Sequence, residues 1–125
     1  MAKLDPAAEK AEVQLNVLGV HDLILAVLPG MVERGAGAVL NVASTAAFQP
    51  LPGQAGYGAS KAFVLSFTEG LAEELRGTGV TVTALCPGFV DTPMLAGAMV
   101  APGAREAMGA LTPIGRIATA EEVAQ

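Results

Sequence analysis

The stretch Gly37-Ala-Val-Leu-Asn-Val-Ala-Ser44 contains the apolar run that decides the fold, residues 38–43, and a second run, VTVTAL, follows at residues 80–85. Short runs of aliphatic and β-branched residues are typical of strands buried in a parallel sheet. Between them, residues 57–76 repeat apolar side chains every four positions, which predicts a helix. The order strand, helix, strand predicts a right-handed βαβ unit, and hence an α/β fold.

Another helix is predicted ahead of the first strand, starting at Asp5-Pro6, where aspartate is the N-cap and proline the first helical residue. Leucines continue at helical spacing until the glycines of residues 35–37, and Pro29 is expected to bend the helix near its end. The longest apolar span, residues 23–32, contains this proline and is too short for a bilayer, which needs ~20 residues. The sequence therefore predicts no membrane partner.

Three unlike polar groups, Ser44, Tyr57 and Lys61, lie at fixed spacing around the predicted helix. Tyr57 and Lys61 are four residues apart, so in a helix they share one face. A free tyrosine titrates near pH ~10, but a fixed ammonium beside it favours the phenolate. Such a phenol can donate a proton to a carbonyl oxygen or accept one from an alcohol. Ser44 ends the first strand, on the side of an α/β sheet where ligands bind, and would donate a second hydrogen bond to the same oxygen.

This set resembles the catalytic Ser and Tyr-x-x-x-Lys residues of the short-chain dehydrogenases/reductases, although Ala43-Ser44 replaces the family's common Ser-Ser pair. The resemblance implies the second half of a Rossmann fold, with residues 1–125 forming one partial domain that is truncated at both ends. It covers most of residues 12–125 through further motifs in the family's order: Asn16-Val-Leu-Gly-Val, Leu28-Pro-Gly-Met31, Pro87-Gly-Phe-Val-Asp-Thr-Pro93, Pro113-Ile-Gly-Arg116 and Glu121-Glu-Val-Ala124.

The resemblance implies an NAD(P)-dependent oxidoreductase that interconverts a ketone and a secondary alcohol by hydride transfer. In similar proteins the tyrosine is the acid or base, the serine orients the substrate, the lysine lowers the tyrosine's pKa and holds the nicotinamide ribose, and an asparagine supports the network. The implied catalytic residues are Asn16, Ser44, Tyr57 and Lys61. The implied cofactor-binding residues are Tyr57, Lys61, Pro87, Gly88, Val90 and Thr92. From the residues alone, Asn16 also fits a hydrogen-bonded core asparagine, and Thr92 a helix cap.

The family's glycine-rich phosphate loop is not found in these residues. Gly35-Ala-Gly37 follows a helix and precedes a strand, so it is interpreted as a helix C-cap rather than a dinucleotide fingerprint. The residue that selects NAD or NADP is also absent, so the choice between the two cofactors stays open.

The alternative hypothesis is a catalytically incompetent, truncated chain that acts only as an oligomerisation piece or fragment. Residues 94–110 correspond to a mobile lid in the family, or to a surface helix pair.

The composition of the chain limits the kinds of partner that it is expected to bind. A net charge of −5 with only 7 basic residues disfavours nucleic acid. The single histidine, His21, has no companions spaced for a metal site. One cysteine excludes an internal disulfide and fits the cytoplasm.

Gly58-Ala-Ser60-Lys-Ala62 approximates a hydrolase elbow, but no strand precedes it and no histidine follows. By resemblance, a homo-oligomer is expected through the helices that carry Asn16 and Tyr57, with a small carbonyl or alcohol substrate.

Overall fold

The computed structural model describes residues 5–97 and 100–125 and divides into two compact units, the first ending at Cys86 and the second beginning at Pro87. The first unit contains the strand–helix–strand motif and the long N-terminal helix. The second unit is built from short helices and two-residue strands. Ala98 and Met99, which belong to the expected lid segment, lie outside the described residues.

The N-terminal helix is one continuous helical run with an irregular middle. Helix α1 (Pro6–Val13) leads into a π-helical segment (Gln14–Gly19) and then helix α2 (Val20–Glu33). The predicted start is confirmed, because the Asp5 side chain accepts a hydrogen bond from the Ala7 amide at 3.0 Å. Pro29 lies inside α2, which continues past it to Glu33.

Helix α2 ends in a Schellman motif. Gly35 has φ 66°, a conformation that glycine adopts without strain. Its amide donates to the Val32 carbonyl at 3.1 Å, and the Ala36 amide donates to the Met31 carbonyl at 3.2 Å. These two bonds confirm that the glycines of residues 35–37 cap a helix.

The length of this helical run corrects the sequence-based estimate of its apolar span. Pro6–Glu33 comprises 28 residues, and by length and composition alone it could cross a membrane. The estimate was too short because it began at residue 23, whereas the helical run begins at Pro6. The core helix of a soluble protein passes the same test, so length alone does not identify a membrane segment.

The predicted strand–helix–strand unit is confirmed. Strand β1 (Gly37–Val42) is followed by a 3₁₀ helix (Thr45–Phe48), helix α3 (Ala55–Glu74) and strand β2 (Val80–Leu85). The two strands pair in parallel, from Gly37 opposite Val80 to Val42 opposite Leu85. Helix α3 starts and ends two residues earlier than predicted. The parallel pairing places the carboxyl ends of both strands side by side, at the same end of the sheet.

The core of this unit lies between the sheet and helices α2 and α3. Ile24, Leu71, Leu75 and Val80 form its buried centre, and side chains of β1 and β2 pack against them. The opposite face of β1 is exposed, with Leu40 at 62% and Val42 at 53%. The sheet therefore buries only one of its faces within the described residues.

The turn into β2 depends on glycine. Gly79 has φ +82°, and a Cβ built there would collide with the Gly35 backbone carbonyl. The left-handed conformation and the lack of a side chain are both required for the end of α2 to approach the start of β2.

The second unit has a smaller parallel pair that the sequence did not predict. Strand β3 (Val90–Asp91) pairs with β4 (Ala118–Thr119), and the chain between them forms helices α4 (Pro93–Ala96) and α5 (Ala104–Ala110). Helix α6 (Ala120–Ala124) follows β4 directly. Its predicted capping box is confirmed, with reciprocal hydrogen bonds between Thr119 and Glu122.

Candidate active site

Tyr57 and Lys61 lie in the first two turns of helix α3, where the four-residue spacing brings their side chains together. The Lys61 ammonium is 5.8 Å from the centroid of the Tyr57 ring. It also donates a hydrogen bond to the Val42 carbonyl at 2.9 Å. This bond ties the lysine to the last residue of β1, so its ammonium is held beside the phenol rather than left free in solvent.

Ser44 follows β1 by two residues and is half-buried. It is the N-cap of the 3₁₀ helix, where its hydroxyl oxygen accepts from the Ala46 amide at 3.1 Å. The hydroxyl proton stays available to a ligand, because the cap uses only the oxygen lone pair. The 3₁₀ helix packs against the start of α3: the Ala46 carbonyl lies 3.5 Å from where a Gly58 Cβ would be. The Ser44 segment and the Tyr57 turn are therefore neighbours.

Asn16 lies in the π-helical segment and reaches the same turn of α3. Its side-chain amide donates to the Ser60 hydroxyl at 3.2 Å, and Ser60 donates in turn to the Tyr57 backbone carbonyl at 2.8 Å. Ser60 is only 2% exposed. This chain of bonds fastens the N-terminal helix to the turn that carries Tyr57, and π-helical segments recur at functional sites for such reasons.

The sequence did not predict Ser60 as a member of this network. Its 44-residue separation from Asn16 leaves no local signal, and only the packing of the two helices brings them together. As a helix-interior residue bonded to Tyr57, Ser60 also lacks the strand-to-helix elbow that a hydrolase nucleophile needs.

Two acidic residues of α1 face the same part of α3, and the sequence singled out neither. The Glu9 carboxylate contacts the position of a Gly56 Cβ. One Glu12 carboxylate oxygen is fully buried and has no hydrogen-bond partner among the described residues. Of these two carboxylates, Glu12 acts on the charge of Lys61.

The electrostatics of Lys61 follow from two opposed causes. Burial lowers the pKa of Lys61 below its ordinary value of 10.5, because a half-buried ammonium loses solvation. The Glu12 carboxylate acts in the other direction and raises the pKa of Lys61, but by less than burial lowers it. Burial thus removes part of the solvation of the Lys61 ammonium, and the Glu12 carboxylate offsets part of this loss.

A buried polar pair supports β1 just before the site. The Asn41 side chain donates to the Thr68 hydroxyl at 2.9 Å, and Thr68 donates to the Val64 carbonyl at 2.6 Å. Asn41 is 8% exposed and Thr68 is 1% exposed. This pair fixes strand β1 against helix α3, one residue before the Val42 carbonyl that holds Lys61.

The four residues assigned only to the cofactor lie in the second unit. Pro87 and Gly88 form the turn after β2, and a Cβ at Gly88 would meet nothing within 4 Å. Val90 pairs with Ala118 in the small sheet. Thr92 is the N-cap residue of α4, but its hydroxyl donates weakly to the Val90 carbonyl at 3.4 Å instead of capping the helix.

His21 lies beside an aromatic ring of α3 and next to an acidic neighbour. Its ring lies 5.4 Å from the Phe67 ring and contacts Asp22 at 3.3 Å. Among residues 5–97 and 100–125, no group of three or more potential metal ligands is present.

The fold and the site define the class of protein: a parallel α/β half-sheet with a serine, a tyrosine and a lysine near the carboxyl end of β1. Residues 1–101 match the family model described as short chain dehydrogenase. The chain belongs to this family, whose members include enzymes named as reductases and dehydrogenases.

Individual relatives agree. The chain is 38% identical over 115 residues to a 3-oxoacyl-[acyl-carrier-protein] reductase of Thermotoga maritima, covering 92% of this chain and 46% of the relative. It is 38% identical over 110 residues to a 2-(R)-hydroxypropyl-CoM dehydrogenase of Xanthobacter autotrophicus, covering 88% of this chain and 44% of the relative.

Solved structures share the fold. An actinorhodin polyketide ketoreductase with NADPH superimposes with a TM-score of 0.85 at 38% identity, over 98% of this chain and 51% of that one. A gluconate 5-dehydrogenase of Burkholderia cenocepacia with NADP and tartrate gives a TM-score of 0.89 at 26% identity, over 97% of this chain and 48% of that one. The chain thus spans about half the length of the relatives and structures it matches.

Proposed function

We propose that this chain contributes the catalytic half of an NAD(P)-dependent oxidoreductase that interconverts a ketone and a secondary alcohol. The observation that carries the proposal is the position of Lys61, whose ammonium lies 5.8 Å from the Tyr57 ring while bonded to the end of β1. A cation held there stabilises negative charge that develops on the phenol oxygen during proton transfer.

Each residue has a distinct role in this proposal. Tyr57 gives its hydroxyl proton to the carbonyl oxygen during reduction and takes it back during oxidation. Ser44 donates a hydrogen bond to the same oxygen and orients the substrate. Asn16 supports the tyrosine turn through Ser60. Positioning of the reactants supplies much of the rate, because a fixed geometry replaces a random encounter.

The described residues suit a nicotinamide cofactor in two respects. An ammonium carries more N–H donors than the one that Lys61 gives to Val42, so donors remain for a ribose hydroxyl. The open space at Gly88 allows a flat ring to approach the backbone of that turn, with Pro87, Val90 and Thr92 beside it in the chain. When bound, the nicotinamide supplies or accepts the hydride at the carbonyl carbon. The family relatives solved with NADPH or NADP support this cofactor class and leave the choice between NAD and NADP open.

The proposal extends to the setting of the enzyme. The two units belong to one Rossmann-type domain, and the protein is cytoplasmic, without nucleic-acid or membrane partners. Its net charge of −5 supports the exclusion of nucleic acid as a partner. A homo-oligomer forms through the helices that carry Asn16 and Tyr57, and the exposed leucines of the N-terminal helix support such a contact.

A second candidate function is a catalytically incompetent chain that serves only as an oligomerisation piece or fragment. The observation that favours it is the exposed apolar surface, which includes Leu15 at 73% and Leu40 at 62%. Exposed apolar side chains of this kind, on the π-helical segment and on the open face of β1, mark association surfaces.

Turnover by the purified full chain distinguishes the two candidates. Consumption of NADPH or NADH is followed with 3-oxoacyl thioesters and simple ketones, and the reverse reaction with gluconate. Ketone-dependent consumption that falls in the Ser44→Ala variant but not in the Ser66→Ala control, at an exposed position of α3, supports the oxidoreductase. If no substrate is turned over and neither cofactor binds, the oligomerisation piece is the better description.

A further inference from the structure

Glu12 lies on a face of the N-terminal helix that contacts helix α3. Glu9, Glu12 and Asn16 are spaced at i, i+3 and i+7, so they share one side of the helical run. Glu9 contacts Gly56, and Asn16 bonds to Ser60. Gly56 and Ser60 bracket one turn of α3, the turn that begins with Tyr57 and precedes Lys61. Glu12, between Glu9 and Asn16, therefore faces the tyrosine–lysine pair.

Among the described residues no direct ion pair joins Glu12 to Lys61, so any attraction between the two charges acts across a short gap. One Glu12 oxygen is buried and has no hydrogen-bond partner among residues 5–97 and 100–125. A buried carboxylate oxygen without a partner is costly, and so is a half-buried ammonium. Two opposite charges in a partly desolvated contact attract each other more strongly than in bulk water. The Glu12 carboxylate therefore offsets part of the cost of burying the Lys61 ammonium.

We propose that Glu12 is a positioning residue whose carboxylate is the counter-ion of the Lys61 ammonium and keeps it charged beside Tyr57. The inference rests on the proposed function, because it gives Lys61 a supporting partner in the same site. It goes beyond the Ser, Tyr and Lys set, which contains no carboxylate.

The direction of the Lys61 shifts supports this role. Glu12 raises the pKa of Lys61 against the larger lowering by burial. The other titratable groups facing this contact are Tyr57 on the same helix and Glu9 on α1, while β1 contributes the Val42 carbonyl and no charge. Without Glu12, burial acts unopposed, and the pKa of Lys61 falls further. The lysine then loses its charge at lower pH.

The test is a pH titration of Lys61 by NMR in the full chain labelled with 13C at lysine Cε. The chain has three lysines, Lys3, Lys10 and Lys61, so single arginine variants assign the signals. We expect Glu12→Gln to move the Lys61 transition to lower pH. Glu12→Asp, which keeps the carboxylate, restores part of the shift. Glu69→Gln removes the same charge from an exposed position of α3 and leaves the Lys61 transition in place.

An unchanged Lys61 transition in a folded Glu12→Gln protein overturns the proposal, and so does an equal shift in Glu69→Gln. If Glu12→Gln does not fold, as judged by circular dichroism, the Glu12→Asp titration decides alone: a shift toward lower pH supports the proposal, and no shift contradicts it. The readout needs no turnover, so the counter-ion can fail while the oxidoreductase stands. Conversely, a confirmed shift together with an absent cofactor-dependent activity removes only the proposed function.

Discussion

At the scale of single residues, the site depends on side chains that reach across elements. Lys61 bonds to the end of β1, Ser60 links Asn16 to Tyr57, and Asn41 bonds to Thr68 across the sheet–helix contact. Each bond fixes the turn of α3 that carries Tyr57 or the strand beside it. Proton transfer requires the donor and acceptor to lie within hydrogen-bond distance of each other. Small displacements of the turn that carries Tyr57 should therefore slow the reaction.

The buried Asn41–Thr68 pair gives the first prediction. Thr68→Val keeps the shape of the side chain but leaves the Asn41 amide without its acceptor in a buried site. We expect the free energy of unfolding to fall by ~1–3 kcal/mol, the usual cost of an unsatisfied buried polar group. Urea denaturation measures the change.

Two controls accompany this variant. Thr68→Ser retains the hydroxyl and should recover most of the loss. Thr81→Val, at an exposed position of β2, should change the free energy of unfolding by less than ~0.5 kcal/mol. Equal stability of the Thr68→Val and Thr81→Val proteins would show that the pair contributes nothing.

The sequence anticipates some of these contacts and not others, for a physical reason. The Tyr57–Lys61 contact follows from helical periodicity, and so it was predictable. Ser60 gains its importance from the packing of the π-helical segment against α3, and the proposed role of Glu12 depends on the packing of α1 against α3. No local pattern encodes either contact. The roles of Asn16, Ser44, Tyr57 and Lys61 in catalysis stay predictions.

At the scale of elements, helix α6 depends on one carboxylate with two tasks. Glu122 accepts from the Thr119 amide at 2.8 Å and pairs with Arg116 at 2.6 Å. Hydrogen bonds from Arg116, and then from the Thr119 backbone, lower the pKa of Glu122 from 4.5 to about 2. The carboxylate form is therefore the one that holds the helix start.

This shift gives a pH prediction with a definite sign. Because the folded pKa is depressed, the stabilisation of α6 is fully present above pH 4.5 and is lost as pH falls through about 2. NMR of the Glu122 carboxyl carbon should show its transition near the lower value. Arg116→Gln should move that transition upward, while Arg76→Gln, which breaks the separate pair with Glu73, should not.

A Glu122 transition at the ordinary glutamate value would contradict this account of the capping box. The box itself was predictable, because threonine followed three residues later by glutamate is a local signal. Strands β3 and β4 were missed since two-residue strands carry no periodicity. Pro29 lies inside α2, which continues to Glu33, and the expected bend near the end of this helix stays a prediction.

At the scale of the whole molecule, the described residues leave many large apolar side chains exposed. Leucines of the N-terminal helix are exposed, with Leu15 at 73% and Leu18 at 52%, and one face of β1 is open. The chain spans about half the length of the relatives and solved structures that it matches. The fold class was predictable from strand order, whereas what covers these surfaces was not.

The proposed homo-oligomer gives a prediction at this scale. Leu15→Glu places a charge on the exposed apolar face of the N-terminal helix, and we expect it to lower the association state. Gln14→Glu adds the same charge at a neighbouring polar position and should leave assembly unchanged. Sedimentation velocity compares the two. A wild-type chain that sediments as a monomer contradicts the proposed contact.

The central claim, that Tyr57 transfers the proton to and from the substrate oxygen, is tested most directly by Tyr57→Phe. The substitution removes only the hydroxyl, so binding and fold should persist while ketone-dependent oxidation of the reduced nicotinamide falls by roughly 10²-fold or more. The Ser66→Ala variant, which removes an exposed hydroxyl from the same helix, should keep wild-type turnover. Turnover by Tyr57→Phe equal to that of the wild-type protein would contradict the account.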